Sequence, residues 1–257
     1  MKIFRFLADG KHRWGIQEGE ILKEIVWEDE ERGYDRYYFL DNFFNLQGDL
    51  DILSPCNPSK VIGIGLNYKS HAEEVKMPLP EEPVIFLKPS TAVIGPNEAI
   101  MLPNFCRRID YEAEVGVVMG KRTKNVPVKE AKNYILGYTC SNDVTARDFQ
   151  RKDGQWTYSK SFDTFAPIGP CIETEVGSSD LAVIGSLNGE IVQKSSLNDL
   201  VFAVDYLISY ISYCMTLLPG DVLMTGTPSG IGPLNPGDTF EVEVEQVGKL
   251  VNTAALL

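Results

Sequence analysis

The sequence predicts an α+β protein in which strands predominate. Most of the chain divides into short apolar or alternating runs separated by glycine and proline, which is the pattern of strands joined by turns. Asn188-Gly189 lies between two such runs in residues 181–193 and is typical of a hairpin turn. Apolar residues recur at helical spacing over residues 196–215, so we expect the longest helix there, with its apolar stripe in the core.

Length, charge and cysteine usage narrow the class of protein. A chain of 257 residues can bury a large core, as one large domain or a large domain with a small one. The net charge of -12 without a basic stripe argues against a nucleic-acid partner, although a local group of Lys and Arg could still bind an anionic small molecule. Five scattered cysteines favour reduced thiols in a cytoplasmic protein. The first residues lack the apolar region of a signal peptide, and no apolar run approaches membrane-spanning length, so no membrane partner is expected.

The composition changes near residue 58. Residues 1–58 contain short alternating runs broken by glycine, and we expect a small β-rich N-terminal domain that ends in the proline-containing linker S-P-C-N-P-S-K. Residues 59–257 would form the second, larger domain. It opens with the apolar strand V-I-G-I-G-L and a short helix, N-Y-K-S-H-A-E-E-V-K-M, which Pro78 and Pro80 stop.

This short helix carries the first candidate site residues. His71 and Glu74 are three residues apart, so they share a helix face and can form a hydrogen bond. Such a pair is also common on protein surfaces by chance, and the spacing alone does not decide between the two interpretations.

The segment D-Y-E-A-E-V-G-V-V-M-G-K reads as a strand that carries two carboxylates. Glu112 and Glu114 are two apart and therefore point to the same face. Adjacent like charges destabilise a strand unless a positive group lies between them. A hard divalent cation would serve, with Asp143, at the end of the next predicted strand, as a third oxygen ligand. A solvated strand face explains the two glutamates equally well at this point.

Further polar residues follow Asp143. The segment V-T-A-R-D-F-Q resembles a helical turn that would bring Arg147 and Gln150 together beside Asp143. Lys160 lies in a predicted loop between aromatic residues, where a solvated lysine is the default. A helix started by Pro127 and closed by Gly137 is predicted between the carboxylate strand and the strand that ends at Asp143.

Six segments, taken together and in order, resemble the fumarylacetoacetate hydrolase family. They are G-L-N-Y-K-S-H-A-E-E, F-L-K-P-S-T, D-Y-E-A-E-V-G-V-V-M-G-K, N-D-V-T-A-R-D-F-Q, S-K-S-F-D-T-F and P-G-D-V-L-M-T-G-T-P-S-G-I-G, and they cover residues 60–257. The resemblance implies a mixed β-roll catalytic domain, usually found as a homodimer, with the small N-terminal domain placed before it.

The resemblance also assigns roles, residue by residue. It implies metal ligands at Glu112, Glu114 and Asp143, catalytic groups at His71, Glu74 and Lys160, and substrate contacts at Arg147, Gln150 and Thr227. The implied metal is Mg²⁺ or Mn²⁺, in agreement with an all-oxygen ligand set. Lys160 would offset the negative charge of three carboxylates around one divalent ion. Leu66 stands where some members carry arginine, which removes one possible contact to an anion.

The implied substrate is a small anionic 2-oxo or 1,3-diketo acid that reacts through an enolate stabilised by the metal. Glu74 would orient His71, and His71 would remove a proton from water or from substrate carbon. Hydrolysis of a carbon–carbon bond in an acylpyruvate or fumarylacetoacetate-like compound, or decarboxylation of oxaloacetate, is the first interpretation. Isomerisation of 2-hydroxyhepta-2,4-diene-1,7-dioate or tautomerisation of oxaloacetate is the second, and a non-catalytic metal-binding protein is the third.

Overall fold

The computed structural model describes residues 1–48, 50–150, 155–177 and 180–257. These residues form twenty strands, three α-helices and a few short 3₁₀ helices. The predicted α+β class with a predominance of strands is therefore confirmed. No helix in the described ranges combines the length and the apolar character that a membrane crossing requires.

The N-terminal part contains the first five strands. They are β1 (Lys2–Ala8), β2 (Lys11–Glu18), β3 (Ile21–Trp27), β4 (Tyr37–Asn45) and β5 (Asp51–Ile52). Strands β1 to β4 are neighbours in an antiparallel meander, in which two-residue turns join β1 to β2 and β2 to β3 and a longer connection joins β3 to β4.

The remaining strands and helices alternate along the rest of the chain. In order they are β6 (Lys60–Gly65), α1 (Lys69–Glu74), β7 (Val84–Pro89), β8 (Val93–Ile94), β9 (Ile100–Leu102), β10 (Ile109–Tyr111), β11 (Ala113–Met119), β12 (Ile135–Asn142), β13 (Thr145–Ala146), α2 (Thr157–Lys160), β14 (Ala166–Glu173), β15 (Ala182–Leu187), β16 (Glu190–Ser196), α3 (Val204–Cys214), β17 (Val222–Met224), β18 (Gly232–Pro233), β19 (Thr239–Val244) and β20 (Gly248–Leu256). Asn188 and Gly189 both have positive φ and join β15 to β16, so the predicted hairpin is confirmed.

One large sheet and two smaller sheets organise these strands. The large sheet has twelve strands, and its main path runs β4-β3-β2-β1-β14-β12-β11-β17-β6-β7. A five-stranded sheet runs β16-β15-β19-β20-β9, and a three-stranded sheet runs β13-β10-β18. Because β1 pairs with β14, the N-terminal meander is hydrogen-bonded into the same sheet as the rest of the chain. The division into domains at residue 58 stays a prediction.

The register of two central strands places the carboxylates together. Strands β11 and β12 are antiparallel, with Ala113 opposite Asn142 and Glu114 opposite Ser141. One step further along this register brings Asp143 opposite Glu112, and the Asp143 N–H donates a hydrogen bond of 2.9 Å to the Glu112 carbonyl. All seven residues of β11 are buried, because the strand is paired on both edges and its side chains pack into hydrophobic clusters on the two faces of the sheet.

Two predicted helices differ from those observed. The long helix begins at Val204 rather than near residue 196, because Asn67 holds the preceding backbone extended: its Oδ1 accepts from Phe202 N–H at 2.8 Å and its Nδ2 donates to Phe202 O at 3.2 Å. The helix predicted from Pro127 to Gly137 is a 3₁₀ helix over Val128–Tyr134, and Gly137 belongs to β12.

Two other segments near the site, a predicted loop and a predicted helical turn, are both short helices in the structure. The Lys160 segment, predicted as a loop, contains the single turn α2, and Lys160 is its last residue. The helical turn predicted after Asp143 is a 3₁₀ helix over Arg147–Phe149. Both elements place a cationic side chain beside the carboxylates.

Candidate active site

Three carboxylates form a buried cluster at the ends of β11 and β12. Glu112, Glu114 and Asp143 expose only 5%, 1% and 1% of their surface. One oxygen from each lies within 4.8 Å of the others. Opposite oxygens around an octahedral Mg²⁺ would be about 4.2 Å apart, so a small movement of the side chains would allow all three to reach one ion. The alternative of a solvated strand face is wrong, since these side chains are almost completely buried.

Lys160 bridges two of the carboxylates. From the end of α2 its Nζ donates to Glu112 Oε2 at 2.9 Å and to Asp143 Oδ2 at 2.5 Å. Burial lowers the pKa of Lys160, but Asp143 and Glu112 outweigh that effect and raise the pKa above its usual value. The ammonium therefore stays charged, and the interpretation of Lys160 as a solvated surface residue is wrong.

A second buried lysine approaches Asp143 from the other side. Lys88, on β7, donates hydrogen bonds to the carbonyls of Val144, Lys160 and Phe165 at 3.0, 2.7 and 2.7 Å. Its Nζ also lies 2.7 Å from Asp143 Oδ1. An ammonium has only three hydrogens, and the three carbonyls use them, so this contact is an ion pair without a hydrogen bond. Asp143 Oδ1 is consequently a buried oxygen with no hydrogen-bond donor.

Arg147 is held by several partners on the opposite side of Glu112. Its guanidinium donates to Glu112 Oε1 at 2.5 Å and to Asp110 Oδ2 at 2.7 Å. It also donates to Gln150 Oε1 at 2.7 Å, which confirms the predicted proximity of these two residues. Burial raises the pKa of Glu112, but Lys160 and Arg147 outweigh burial and hold the pKa below its usual range.

Glu114 differs from its two neighbours because it lacks a cation. Its Oε2 accepts a hydrogen bond of 2.7 Å from Gly226 N–H, and no Lys or Arg of the described ranges lies within ion-pair distance of it. Burial, followed by the charges of Asp143 and Glu112, raises the pKa of Glu114 well above its usual value. An ionised Glu114 therefore requires an additional positive charge.

Two observations thus fit a divalent cation at this cluster. Glu114 is a buried carboxylate without a cationic partner among the described residues, and one oxygen from each of the three carboxylates lies within 4.8 Å of the others. Oxygen ligands of this kind suit Mg²⁺ or Mn²⁺. Glu112, Glu114 and Asp143 are the residues that could hold the ion, and their assignment as ligands stays a prediction.

His71 and Glu74 form the predicted pair on α1. His71 Nδ1 and Glu74 Oε2 are 3.1 Å apart, and His71 is buried. Glu74 Oε1 also accepts a hydrogen bond of 2.9 Å from Gly230 N–H, so the loop after β17 fixes the carboxylate. Gly230 has φ +98°, and a Cβ there would lie 1.9 Å from the Val192 carbonyl, so only glycine fits. The simple interpretation as a surface pair is wrong for His71, which lines the same cavity as the carboxylates.

Thr227 lies in the same loop as Gly230. Its hydroxyl donates to the Ala113 carbonyl at 3.0 Å and accepts from Gln193 Nε2 at 2.8 Å. The hydroxyl proton is therefore engaged by β11, and the observed contacts of Thr227 hold the loop against that strand. Its predicted contact to the carboxylate of a substrate remains a prediction.

One cavity brings all but one of the predicted site residues together. Its volume is about 540 Å³, and it is lined by His71, the three carboxylates, Lys160, Arg147, Gln150 and Thr227. Glu74 reaches the cavity through His71. The other part of the wall is apolar and includes Phe86 and Trp156.

Sequence reasoning missed three residues that shape this site. Lys88 and Asp110 are fully buried and hold Asp143 and Arg147, respectively, while Trp156 forms part of the apolar wall. Lys88 lies in the motif F-L-K-P-S-T, which carries part of the family resemblance, but nothing in its spacing shows that the side chain reaches a carboxylate 55 residues later in the chain. An isolated lysine inside an otherwise apolar strand was the available signal, since an unpaired buried lysine is rare.

Comparison with known proteins identifies the family to which this chain belongs. Residues 60–255 match the family model described as Fumarylacetoacetate (FAA) hydrolase C-terminal. The chain belongs to the fumarylacetoacetate hydrolase family, and the resemblance noted in the sequence is confirmed. Members of this family are enzymes, among them isomerases and hydrolases.

Similar proteins and similar solved structures cover most of the chain. A protein of Archaeoglobus fulgidus is 56% identical over 79% of this chain and 81% of its own. The mitochondrial oxaloacetate tautomerase Fahd2a of Rattus norvegicus is 41% identical over 76% of this chain and 66% of its own. A 5-carboxymethyl-2-hydroxymuconate delta-isomerase from Mycobacterium smegmatis superposes with a TM-score of 0.91 at 40% identity, and covers both chains completely.

A solved structure with a metal is also similar. Maleylpyruvate hydrolase from Sphingobium sp. SYK-6, in complex with manganese(II) and pyruvate, superposes with a TM-score of 0.81 at 26% identity. The match covers 100% of this chain and 99% of that chain. A family member of this fold thus binds a divalent metal.

Proposed function

We propose that this chain is a divalent-metal-dependent enzyme that acts on a small 2-oxo or 1,3-diketo acid. The first candidate reaction is hydrolysis of a carbon–carbon bond in an acylpyruvate or fumarylacetoacetate-like compound, or decarboxylation of oxaloacetate. The observation that carries the proposal is the buried cluster of Glu112, Glu114 and Asp143, with Lys160 beside it and His71 in the wall of the same cavity.

The metal would be Mg²⁺ or Mn²⁺, held by the three carboxylates. When bound, it would act as a Lewis acid on the carboxylate and 2-oxo oxygens of the substrate and favour enolate formation. The maleylpyruvate hydrolase structure with manganese(II) and pyruvate supports a divalent metal and a 2-oxo acid in this fold.

The residues of the chain supply the proton transfers and the binding. In hydrolysis, His71 would take a proton from water as the water oxygen attacks the distal carbonyl carbon. The bond between that carbon and the methylene then breaks, and its electron pair leaves as the enolate of pyruvate, which takes up a proton on carbon. Glu74, fixed by Gly230 N–H, would hold the His71 ring and stabilise its protonated form.

The cations of the site would serve different purposes. Lys160 lies where it would favour negative charge on a substrate oxygen next to Glu112 and Asp143. Arg147 engages the carbonyl end of the Gln150 amide, so the NH₂ end of that amide is the donor that would contact a substrate. The proposed substrate is an anion. Assembly of the chain as a homodimer stays a prediction.

Isomerisation is a second candidate that the relatives favour as strongly. The rat relative is an oxaloacetate tautomerase, and the Mycobacterium smegmatis structure is a delta-isomerase. In this reaction His71 would remove a proton from substrate carbon and return it at another atom, without attack by water. Both candidates share the enolate, so the same residues serve either reaction.

One experiment separates these reactions. The protein is stripped with EDTA, reloaded with Mg²⁺ or Mn²⁺, and incubated with acylpyruvates, oxaloacetate and 2-hydroxyhepta-2,4-diene-1,7-dioate while NMR follows the products. Hydrolysis releases pyruvate and an acid, decarboxylation releases pyruvate and carbon dioxide, and isomerisation conserves mass. We expect metal-dependent turnover of at least one compound.

A different result would overturn the proposal. Tight metal binding without turnover of any compound supports the non-catalytic metal-binding protein. Turnover that is equal in EDTA and in Mg²⁺ contradicts the metal role of the carboxylates.

A further inference from the structure

We propose that the apolar end of the cavity is a subsite for an uncharged alkyl or aryl group, so that the preferred substrate carries one carboxylate rather than two. This inference rests on the proposed function and adds the chemistry of the substrate's far end. It predicts an acylpyruvate with an apolar acyl group in preference to a dicarboxylic 2-oxo acid.

An aromatic shelf, formed by Phe86 and Trp156, is the main part of this subsite. Their ring centroids are 5.7 Å apart in an edge-to-face arrangement. The Phe86 ring lies 4.8 Å from Lys160 Nζ, so the shelf begins directly beside the carboxylate cluster. A substrate held at the metal site beside the carboxylate cluster would therefore extend its acyl chain over these rings.

Two glycines of β6 create the space for the shelf. Gly63 and Gly65 are two residues apart on the strand and so face the same side. A Cβ on Gly63 would lie 2.2 Å from the Phe86 ring, and a Cβ on Gly65 would lie 2.2 Å from the Trp156 ring. Both glycines have extended backbone, so close approach of the two rings, rather than a special φ, is the reason for glycine.

Aliphatic side chains complete the apolar wall. Leu66 follows Gly65, Val75 and Met77 follow α1, and Ile231 lies beside the loop that binds Glu74. This wall and the carboxylate cluster line one continuous cavity of about 540 Å³, which is large enough for an acyl chain of several carbons.

The charges of the cavity argue against a second carboxylate at this end. Each cationic side chain of the described cavity wall already has an acidic partner: Lys160 has Glu112 and Asp143, and Arg147 has Asp110 and Glu112. A distal carboxylate would lie against ring faces that carry partial negative charge, and it would lose water without gaining an unpaired cation from the described part of the cavity wall. A methyl group at the same place would move from water into an apolar environment, and this transfer has a favourable free energy.

The test compares two substrates that differ at one terminal group. Butyrylpyruvate ends in a methyl group, and succinylpyruvate places a carboxylate at the same position. With the Mg²⁺-loaded protein we expect kcat/KM to be at least tenfold higher for butyrylpyruvate. We also expect kcat/KM to rise from acetylpyruvate to butyrylpyruvate by about fourfold for each added methylene, since a buried CH₂ contributes about 0.8 kcal/mol.

Variants of the shelf connect this preference to the structure. Trp156→Ala and Trp156→Phe should both lower the ratio of kcat/KM for butyrylpyruvate to that for acetylpyruvate, and the alanine variant should lower it more. Tyr213→Ala, which removes an exposed aromatic ring on α3, is the matched control and should leave the ratio unchanged.

Each other outcome has a definite meaning. Equal or higher kcat/KM for succinylpyruvate overturns the apolar subsite but leaves the proposed function standing. An equal loss for acetylpyruvate and butyrylpyruvate in both Trp156 variants gives the ring a structural role and overturns the shelf. No turnover of any acylpyruvate, oxaloacetate or heptadienedioate overturns the proposed function itself.

Discussion

The two ends of the cavity are built on different physical principles. At one end, three buried carboxylates meet two lysines and an arginine, and every position depends on charge. At the other end, two aromatic rings rest on two glycines, and every position depends on shape. The charged end is suited to one reaction centre, whereas the apolar end can accept groups of different size.

This difference implies different sensitivity to substitution. A charged group that loses its partner in a buried site costs much more than a lost contact with an apolar wall. Changes at the carboxylate end should therefore abolish activity or stability, and changes at the aromatic shelf should shift the preference among substrates. The predictions below test this contrast from the largest expected effect to the smallest.

Replacing Glu114 by glutamine should have the largest effect. Glu114→Gln keeps the shape of the side chain and its contact with Gly226 N–H, but removes the carboxylate of the cluster for which the described residues supply no cation. We expect turnover to fall to the metal-free background and Mg²⁺ affinity, measured by calorimetry, to be lost. Glu190→Gln, an exposed site on β16, is the control. Normal turnover in Glu114→Gln would remove Glu114 from the metal site.

The carboxylate end was also the part that the sequence could predict. Glu112 and Glu114 share a strand face by their spacing, and the antiparallel register of β11 and β12 brings Asp143 to them. Resemblance to the family then supplied Lys160 and the His71–Glu74 pair. These groups are recognisable because the chemistry requires particular residue types at particular places.

The aromatic end could not be predicted in the same way. Trp156 and Phe86 are far apart in the sequence, and their meeting depends on two glycines whose role is the absence of a side chain. Lys88 posed a similar problem, because its three carbonyl partners come from separate segments of the chain. The long helix was predicted about two turns too early because the effect of Asn67 on the backbone before Val204 is a tertiary contact.

Removing the imidazole of His71 should have a large but incomplete effect. His71→Ala removes the candidate proton acceptor while the metal ligands stay in place. Proton transfer by a placed side chain is typically worth about 100- to 10,000-fold, so kcat for hydrolysis should fall by that range. Tautomerisation of oxaloacetate should fall less, because a carbon proton that the metal has made acidic can also be lost to a base in solution, whereas hydrolysis needs a water activated at the site. The measurement is NMR product analysis with both substrates. His12→Ala, in the N-terminal meander, is the control, and equal losses in both reactions would contradict the separate role of His71.

Lys88 should stabilise the fold more when the metal is absent. Lys88→Met leaves three buried carbonyls and Asp143 without the ammonium, and breaking a buried ion pair typically costs about 3–5 kcal/mol. A bound Mg²⁺ would still compensate Asp143, so the loss in Tm should be larger in EDTA than in Mg²⁺. Thermal unfolding measures both values, with Lys129→Met, at an exposed position, as the control. An equal loss in Tm in EDTA and in Mg²⁺ would show that Lys88 stabilises the fold through its hydrogen bonds to the three carbonyls and not through its ion pair with Asp143.

The pH dependence of the metal-free protein should show the smallest effect. Burial, Asp143 and Glu112 raise the pKa of Glu114 in the folded state above the value of about 4.3 in the unfolded chain. The unfolded chain therefore binds fewer protons than the fold between these two values. Stability is fully present below the unfolded pKa and falls as pH rises towards the folded pKa, by at most about 1.4 kcal/mol per pH unit. The Glu114→Gln variant has no carboxyl group to ionise at this position. In EDTA, the Tm of the wild type should therefore fall relative to that of the variant as pH rises. Adding Mg²⁺ should restore the stability of the wild type and leave that of the variant unchanged. Parallel curves of Tm against pH for the two proteins would mean that ionised Glu114 does not destabilise the metal-free fold. Among the carboxylates, Asp143 would then be the remaining support for the contrast between the two ends of the cavity.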